Sequence, residues 1–444
     1  MSKGLWILSK IFILKKSIFR KGDIFHLNLI DHIITQKAKQ EFARSMKFDD
    51  ETEPHIPPGD VQQPRLLYLH IPFCEKLCPY CSFNRVVFQE SVCRDYFKAL
   101  RKELQLYKTL GYDFSGIYAG GGTPTVLIDE LEETLALACR CFNIGEISVE
   151  TNPNHLTDKN LDILKRAGVK RLSVGIQSFD DGLLKDMERY EKYGSGRDIA
   201  GRLKEILGVF NTLNADMIFN FPSQTDEILD QDLEMLLATG VDQITYYPLM
   251  VSDSTRQLVS RKLGQVEYGK EKRFYHRICE RLIPQYGFSS AWCFSKQTGT
   301  AIDEYIVQYD EYAGLGSGSI GFLNGSCYAN TFHIPEYIAQ LNRGELPLQA
   351  SRTFGIRDQM RYDFMMHLFG MKLDVAAMRR KYNGVFYRHL WPDVLAFCLA
   401  GGLRYEAPYF HLTKRGRYDW IILMREFFTA VNNFRDYCRA RIAP

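Results

Sequence analysis

Residues 66–83, LLYLHIPFCEKLCPYCSF, constrain the fold and the chemistry of this chain more than any other stretch. The apolar run 66–71 predicts a buried strand, which Pro72 ends. Cys74, Cys78 and Cys81 follow at once in the spacing C-x3-C-x2-C. Clustered thiolates are typical ligands of iron–sulfur clusters. Because a [4Fe–4S] cube needs four ligands, three cysteines leave one iron open to a small molecule.

Two simpler interpretations compete with a cluster: a structural zinc site that lacks its fourth ligand, and cysteines packed in the core. Structural zinc usually shows two ligand pairs that lie far apart in the sequence, and no second pair is present here. Strand alternation predicts that His70 faces away from the cysteine loop. Tyr80 and Phe83, which flank the last cysteine, favour the cluster.

The stretch HIPFCEKLCPYCSF resembles the radical S-adenosylmethionine (radical SAM) enzymes, and within them the branch of oxygen-independent coproporphyrinogen III oxidase and heme chaperones. The resemblance covers about residues 65–330. It implies a [4Fe–4S] cluster on the three cysteines and one or two molecules of S-adenosylmethionine. The implied activity is reductive cleavage of S-adenosylmethionine to a 5′-deoxyadenosyl radical, with a tetrapyrrole as substrate and flavodoxin or ferredoxin as electron donor.

Length and composition narrow the class of protein. A net charge of +3 over 444 residues gives no argument for nucleic-acid binding. Eleven cysteines in this length are not a secreted disulfide scaffold, and no cleavable signal peptide is evident, so we expect reducing cytoplasm. Residues 1–21 are too short and too lysine-rich to span a bilayer. They predict a basic amphipathic helix that either lies on a membrane surface or packs on the protein.

From residue 65 onward, short apolar strands alternate with amphipathic helices at intervals of about 30 residues. This rhythm predicts an α/β fold, a partial (β/α)6 barrel whose chemistry lies at the carboxyl ends of its strands. The expected strands are 66–71, 116–119, 146–151, 171–176, 214–219 and 243–249, with a further strand at 289–294. The expected domains are an extension and linker (1–64), the barrel (65–300), a glycine-rich substrate-side segment (301–355) and a helical, winged-helix-like domain (356–444). Within the third of these, we expect the glycine-rich stretch 310–331 to be a loop that approaches the ligand closely.

Polar residues follow the expected strands in order, and the resemblance gives each a role. The triple glycine of Gly120, Gly121 and Gly122 lets backbone approach a ligand, where the family holds the methionine amino group. Other implied S-adenosylmethionine contacts are Phe83, Thr123, Glu150, Gln177, Arg189 and Asp216. Arg189 would pair with the methionine carboxylate, and Gln177 and Asp216 would contact the ribose. Tyr68 and Glu150 are the implied catalytic residues.

The motifs leave the reaction open. Phe83 stands where the oxidase has a further cysteine, and the heme-binding HNxxYW motif of the chaperone is missing near residues 302–307. The segment 314–331, GLGSGSIGFLNGSCYANT, resembles the oxidase loop. The alternatives are therefore oxidative decarboxylation like that of coproporphyrinogen oxidase, heme carriage, a radical SAM methyltransferase, and a structural cluster in a degenerate barrel.

Overall fold

The computed structural model describes residues 23–48, 54–59, 64–297, 299, 301–302 and 305–442. The expected N-terminal amphipathic helix, at 1–21, lies outside these residues. By their internal contacts the described residues divide into two compact units. A barrel unit contains residues 48–287, 293–353 and 432–442, and a helical unit contains residues 23–47, 288–292 and 354–431.

The strands are short and rich in apolar residues, and those at the centre of the main sheet are buried at most positions. Their bounds are β1 Leu66–Ile71, β2 Phe73–Cys74, β3 Val86–Val87, β4 Gly116–Gly121, β5 Glu146–Thr151, β6 Arg171–Gln177, β7 Thr212–Phe219, β8 Gln243–Pro248, β9 Gly287–Phe288, β10 Cys293–Ser295, β11 Tyr312–Leu315, β12 Ile320–Leu323, β13 Ser326–Asn330, β14 Leu348–Thr353, β15 Lys372–Asp374, β16 Leu403–Glu406 and β17 Tyr409–Leu412. Of these, β1, β10 and β13 are buried along their whole length.

The helices are amphipathic, and side-chain caps such as Thr157, Asp180 and Thr225 satisfy backbone N–H groups at several of their first turns. Their bounds are α1 Asp23–Ser45, α2 Glu90–Thr109, α3 Ile128–Cys141, α4 Asp158–Arg166, α5 Asp181–Asp186, α6 Tyr190–Tyr193, α7 Gly196–Glu205, α8 Asp226–Thr239, α9 Asp253–Lys262, α10 Tyr268–Leu282, α11 Ile334–Asn342, α12 Ile356–Phe369, α13 Val375–Lys381, α14 Phe386–Leu399 and α15 Lys414–Ala440.

The central sheet of the barrel unit runs in the order β14-β13-β12-β11-β1-β4-β5-β6-β7-β8-β10. The six strands from β1 to β8 in this order are parallel, which confirms the expected α/β barrel-like fold. β11 joins β1 in parallel, whereas β12, β13, β14 and β10 are antiparallel to their neighbours. Because six consecutive parallel strands end at one edge, the loops after them converge there.

Two expectations about local structure were wrong. The expected strand at 289–294 is reduced to β10, which starts at Cys293, because residues 289–292 form bends. The glycine-rich segment 310–331 was expected to be a loop, but it forms β11, β12 and β13. Its glycines serve packing, since a Cβ at Gly316 would lie 2.4 Å from the His70 carbonyl oxygen and one at Gly318 would lie 2.3 Å from Asn84.

The helical unit has the winged-helix order that the sequence predicted. α12, β15, α13 and α14 are followed by β16 and β17, and the small sheet runs β15-β17-β16 with antiparallel pairs. Trp420 on α15 is fully buried and donates its indole N–H to the Met365 carbonyl of α12, 2.9 Å away. Within the described part of the chain, no helix has the length and apolar character needed to cross a membrane.

Candidate functional site

The cysteine loop leaves β1 after Ile71 and returns through β3, which pairs in parallel with β2. The Val86 amide donates to the Pro72 carbonyl at 2.7 Å and thereby closes the base of the loop. Inside the loop, the Arg85 guanidinium donates to the carbonyls of Cys78 (2.6 Å) and Cys81 (2.8 Å). These bonds hold the backbone of two cysteines in place. This role of Arg85 was not predicted from the sequence.

Cys74, Cys78 and Cys81 are free, partly exposed thiols. Within the described residues, these three sulfurs are not part of any group of ligand atoms that all lie within 4.8 Å of one another, as one tetrahedral ion would require. Wider spacing suits a cube, in which each thiolate binds a different iron. Burial is the main cause that raises the pKa of the Cys74 thiol to about 11. The donor set therefore fits an iron–sulfur cluster better than a structural zinc ion.

Two hydrogen-bond donors lie close to the cysteine sulfurs: Thr123, shortly after β4, and Arg189, between α5 and α6. The Thr123 hydroxyl, directly after the triple glycine, lies 3.8 Å from Cys74 Sγ. The Arg189 Nη1 lies 3.6 Å from Cys78 Sγ, and its Nη2 donates to the Gly175 carbonyl at 2.5 Å. Arg189 is 3% exposed, and among the described residues its buried Nε has no hydrogen-bond partner. A buried donor of this kind needs an acceptor, such as a ligand carboxylate.

The three glycines at the end of β4 (the glycine edge) are required sterically, because side chains there would clash with neighbouring residues. A Cβ at Gly120 would lie 2.8 Å from the Glu150 carboxyl group, and a Cβ at Gly122 would lie 2.7 Å from the Phe73 carbonyl oxygen. Gly121 has a φ of +112°, which an L side chain rarely adopts. The Gly121 amide donates to Glu150 Oε2 at 3.1 Å. The strand end thus fits only because the three residues lack side chains.

Glu150 and Tyr68 lie on the inner face of the sheet. The Tyr118 hydroxyl donates to Glu150 Oε1 at 2.7 Å, so the carboxylate is held by a phenol and by the glycine edge. The Tyr68 hydroxyl lies 2.9 Å from His70 Nδ1, and His70 Nε2 lies 2.9 Å from the Asn84 carbonyl oxygen. The prediction that His70 faces away from the cysteine loop was wrong, because the returning limb of that loop passes over it.

The hydrogen bonds of His70 fix its tautomer. A carbonyl oxygen can only accept, so Nε2 carries the proton and Nδ1 accepts from the Tyr68 hydroxyl. Burial is the main cause that lowers the pKa of His70 to about 4, so its imidazole is neutral at physiological pH. The signal that could have identified His70 is its position two residues after Tyr68, on the same side of β1.

The remaining predicted residues are Gln177 on β6, Asp216 on β7 and Phe83 in the cysteine loop. Gln177 has a φ of +77° at a bulge between β6 and β7, a backbone conformation that is uncommon outside functional turns. Asp216 accepts hydrogen bonds from the Ser173 hydroxyl (2.7 Å) and the Asn214 amide (2.8 Å). Phe83 is 45% exposed, and the Arg435 guanidinium lies 4.8 Å from its ring centroid.

Comparison with known proteins agrees with this geometry. Residues 68–236 match the family model of the radical SAM superfamily. Residues 68–236 therefore form a radical SAM domain, and this fold implies a [4Fe–4S] cluster and S-adenosylmethionine as cofactors. Similar curated proteins come from the branch of the oxygen-independent coproporphyrinogen III oxidases and the heme chaperones.

The relatives carry different names, which include heme chaperone, oxygen-independent coproporphyrinogen III oxidase and anaerobilin synthase. The heme chaperone HemW of Bacillus subtilis is 28% identical over 371 residues, which span 79% of this chain and 95% of the relative. The oxygen-independent coproporphyrinogen III oxidase of Paracoccus denitrificans is 32% identical over 189 residues, or 41% and 42% of the two chains. The structure of coproporphyrinogen III oxidase HemN from Escherichia coli shares the fold with a TM-score of 0.69 at 21% identity, covering 87% of this chain and 93% of the other.

Proposed function

We propose that this chain is a radical SAM enzyme that acts on a tetrapyrrole, and that its reaction is oxidative decarboxylation of a coproporphyrinogen-like substrate. The observation that carries the proposal is the placement of three neighbouring thiols beside one buried guanidinium, at the carboxyl end of a parallel sheet. When bound, the reduced cluster and S-adenosylmethionine supply a 5′-deoxyadenosyl radical that abstracts a hydrogen atom from the substrate. The choice of a tetrapyrrole rests on the name of the Paracoccus denitrificans relative.

We assign the cluster to Cys74, Cys78 and Cys81. Arg189 would bind the carboxylate of S-adenosylmethionine, because its Nε is buried and needs an acceptor. The glycine edge of residues 120–122 would hold the amino group through backbone carbonyls, with the Glu150 carboxylate beside it. Thr123 would support the cluster through Cys74.

The ribose would lie between Gln177, at the end of β6, and Asp216, within β7. Asp216 accepts hydrogen bonds from two side chains, and a carboxylate oxygen is the kind of acceptor that a ribose hydroxyl needs. Glu150 would contact the substrate side of S-adenosylmethionine from the neighbouring strand. Phe83 would pack beside the adenine, with Arg435 over its ring.

Tyr68 would face the substrate with its hydroxyl proton held by His70 Nδ1. With that proton hydrogen-bonded to His70 Nδ1, the hydroxyl acts toward the substrate as an acceptor. It can accept a hydrogen bond from a pyrrole N–H without giving up its own proton. A one-electron donor such as flavodoxin or ferredoxin would serve as the reducing partner.

Heme carriage is the second candidate. It is favoured by the match to the Bacillus subtilis heme chaperone, which extends over 95% of that relative. A carrier would bind heme with defined stoichiometry and would leave its mass unchanged. An enzyme would change the substrate mass and consume S-adenosylmethionine with every turnover.

The experiment is anaerobic reconstitution with iron and sulfide, followed by dithionite, S-adenosylmethionine and either coproporphyrinogen III or heme. We expect 5′-deoxyadenosine together with a substrate that has lost two carboxyl groups. A methyl gain on the substrate, or heme uptake without turnover, would overturn decarboxylation in favour of methyl transfer or carriage. No response to either compound would overturn the tetrapyrrole assignment.

The cysteine assignment is tested with matched variants. Cys78→Ala should lose iron and the brown absorbance of the cluster, whereas Cys139→Ala should keep both, because Cys139 is exposed on α3 away from the loop. Equal iron content in the two variants would contradict the assignment of Cys78.

A further inference from the structure

A chain of hydrogen bonds joins two of the cysteines through three other side chains, two that follow strands β4 and β5 and one that precedes helix α6. It runs from Cys74 Sγ to the Thr123 hydroxyl, from there to the Asn152 amide, and on to the Arg189 guanidinium and Cys78 Sγ. The central link, Asn152, received no role from the sequence. It follows β5 two residues after Glu150 and is half-buried.

The local structure places this amide between two donors. Asn152 has an extended backbone (φ −115°, ψ 159°) and precedes the short 3-10 turn Pro153–His155, so the side-chain alternation of β5 continues through it. Its Oδ1 lies 3.5 Å from where a Cβ of Gly175 would be, an ordinary contact distance, so the amide lies beside β6. The Asn152 side chain therefore reaches Thr123 on one side and Arg189 on the other.

The partners fix which way the amide faces. A guanidinium can only donate, so the atom that faces Arg189 Nη2 at 3.4 Å must be the oxygen Oδ1. The Nδ2 group then faces Thr123 and donates to its hydroxyl oxygen at 2.8 Å. Because that hydroxyl oxygen is accepting from the amide, its own proton is directed to Cys74 Sγ. One amide thus sets the direction of the bonds at both ends.

We propose that Asn152 is a positioning residue that aims the Thr123 hydroxyl at Cys74 and holds Arg189 in place for the S-adenosylmethionine carboxylate. This role rests on the proposed function of the cysteines and of Arg189. Hydrogen bonds to cluster sulfurs raise the reduction potential of the cluster, and ordered donors strengthen carboxylate binding. Asn152 therefore influences both the potential and the affinity without touching either cofactor.

The test compares Asn152→Asp with Asn152→Ala. An aspartate accepts from both neighbours, so it turns the Thr123 proton away from Cys74 and forms an ion pair with Arg189. We expect a lower cluster midpoint potential and S-adenosylmethionine binding weakened by about tenfold or more. An alanine leaves the Thr123 proton available to Cys74, so the potential should stay near that of wild type, with binding weakened by about three- to fivefold.

Potential is measured by redox titration followed by electron paramagnetic resonance, and binding by equilibrium dialysis of the reconstituted protein, both without substrate. Asn160→Ala is the matched control, because that amide donates to the His155 carbonyl and lies outside the chain of bonds. If Asn152→Asp and Asn152→Ala both kept the wild-type potential and affinity and lowered only the melting temperature, the positioning role would be wrong.

These readouts separate the two proposals. Failure of the tetrapyrrole assignment would leave the potential and the binding constant measurable, because neither needs the substrate. Failure of the cluster assignment would appear in the wild type itself, as missing iron. An Asn152→Asp protein with wild-type potential but bound iron would overturn the role of Asn152 alone.

Discussion

Glu103 provides the sharpest test of how the glycine-rich segment is held against the barrel. This carboxyl group on α2 is completely buried and accepts three hydrogen bonds. Its donors are the Asn330 amide at 2.6 Å, the Gly316 backbone N–H at 2.8 Å and the Tyr337 hydroxyl at 2.5 Å. Burial, the largest influence, nevertheless raises the pKa of Glu103 to about 7.

The sign of the pH dependence follows from that pKa. Between its ordinary pKa of 4.5 and about 7, Glu103 binds a proton in the folded state but not in the unfolded state. Unfolding therefore releases a proton, and stability falls as the pH rises through this window. At 1.36 kcal/mol per pKa unit, the loss from Glu103 between pH 5 and pH 8 is about 2.5 kcal/mol.

Glu103→Gln removes this titration. At low pH it leaves the net charge of the folded protein unchanged, because Glu103 is then protonated. Its amide would place an NH2 group against donors, so the variant should be less stable than wild type at pH 5 by about 1 to 3 kcal/mol. Because wild type alone loses stability as the pH rises, the gap should shrink by about 2.5 kcal/mol by pH 8. Asp232, whose pKa burial also raises to about 7, is present in both proteins and cancels in the difference.

Urea denaturation at pH 5, 6, 7 and 8 measures the gap. Parallel curves, or a gap that widens with pH, would refute the reasoning and would show that the three donors keep Glu103 ionised in the folded state.

The outcome also bears on the site, because Gly316 precedes Ser317, whose carbonyl accepts from the Asn84 amide at 3.0 Å. The Tyr96 hydroxyl, which accepts from the Ser317 amide, in turn donates to the His70 carbonyl.

Two further substitutions probe the inner face of the sheet. His70→Phe removes two buried hydrogen bonds, one to the Tyr68 hydroxyl and one to the Asn84 carbonyl, so we expect a loss of about 3 kcal/mol in urea denaturation at pH 7. A loss below about 0.5 kcal/mol would contradict the bonding of His70. Gly120→Ala should lower the free energy of unfolding by about 2 kcal/mol, because its Cβ would overlap Glu150. The control Gly201→Ala should be neutral or stabilising, because a Cβ there would have nothing within 4 Å. Equal effects of the two substitutions would contradict the packing at the glycine edge.

The six parallel strands were predictable because each one is a short apolar run with its own boundary signals. The expected first strand, 66–71, coincides with β1. Parallel strands in right-handed units bring their ends together, so the order of Glu150, Gln177 and Asp216 in the chain already implied a common edge. The apolar runs and their boundary residues lie within a few positions of one another, so a single sequence is enough to predict these strands.

The glycine-rich segment was misjudged because glycine has two uses that composition does not distinguish. A glycine can free the backbone for a loop, or it can remove a Cβ where another chain segment comes close. At Gly314 and Gly321 the second use applies, since a Cβ would lie 2.2 and 2.3 Å from the Ile320 carbonyl oxygen and the Tyr328 ring. At Gly316 both uses apply, because it has a φ of +100° in the turn after β11 and a Cβ there would lie 2.4 Å from the His70 carbonyl oxygen. Strands β11 to β13 are therefore rich in glycine and still extended.

The residues that the sequence did not identify share one property: their partners lie on other strands or on the returning limb of the cysteine loop. Tyr118 meets Glu150 across β4 and β5, and Asn152 meets Arg189 across β5 and the loop after β6. Such pairs depend on register, and no spacing within one segment records it. His70 is the clearest case, because strand alternation alone predicted that it faces away from the cysteine loop. Its second partner, Asn84, comes from a limb whose path only the structure provides.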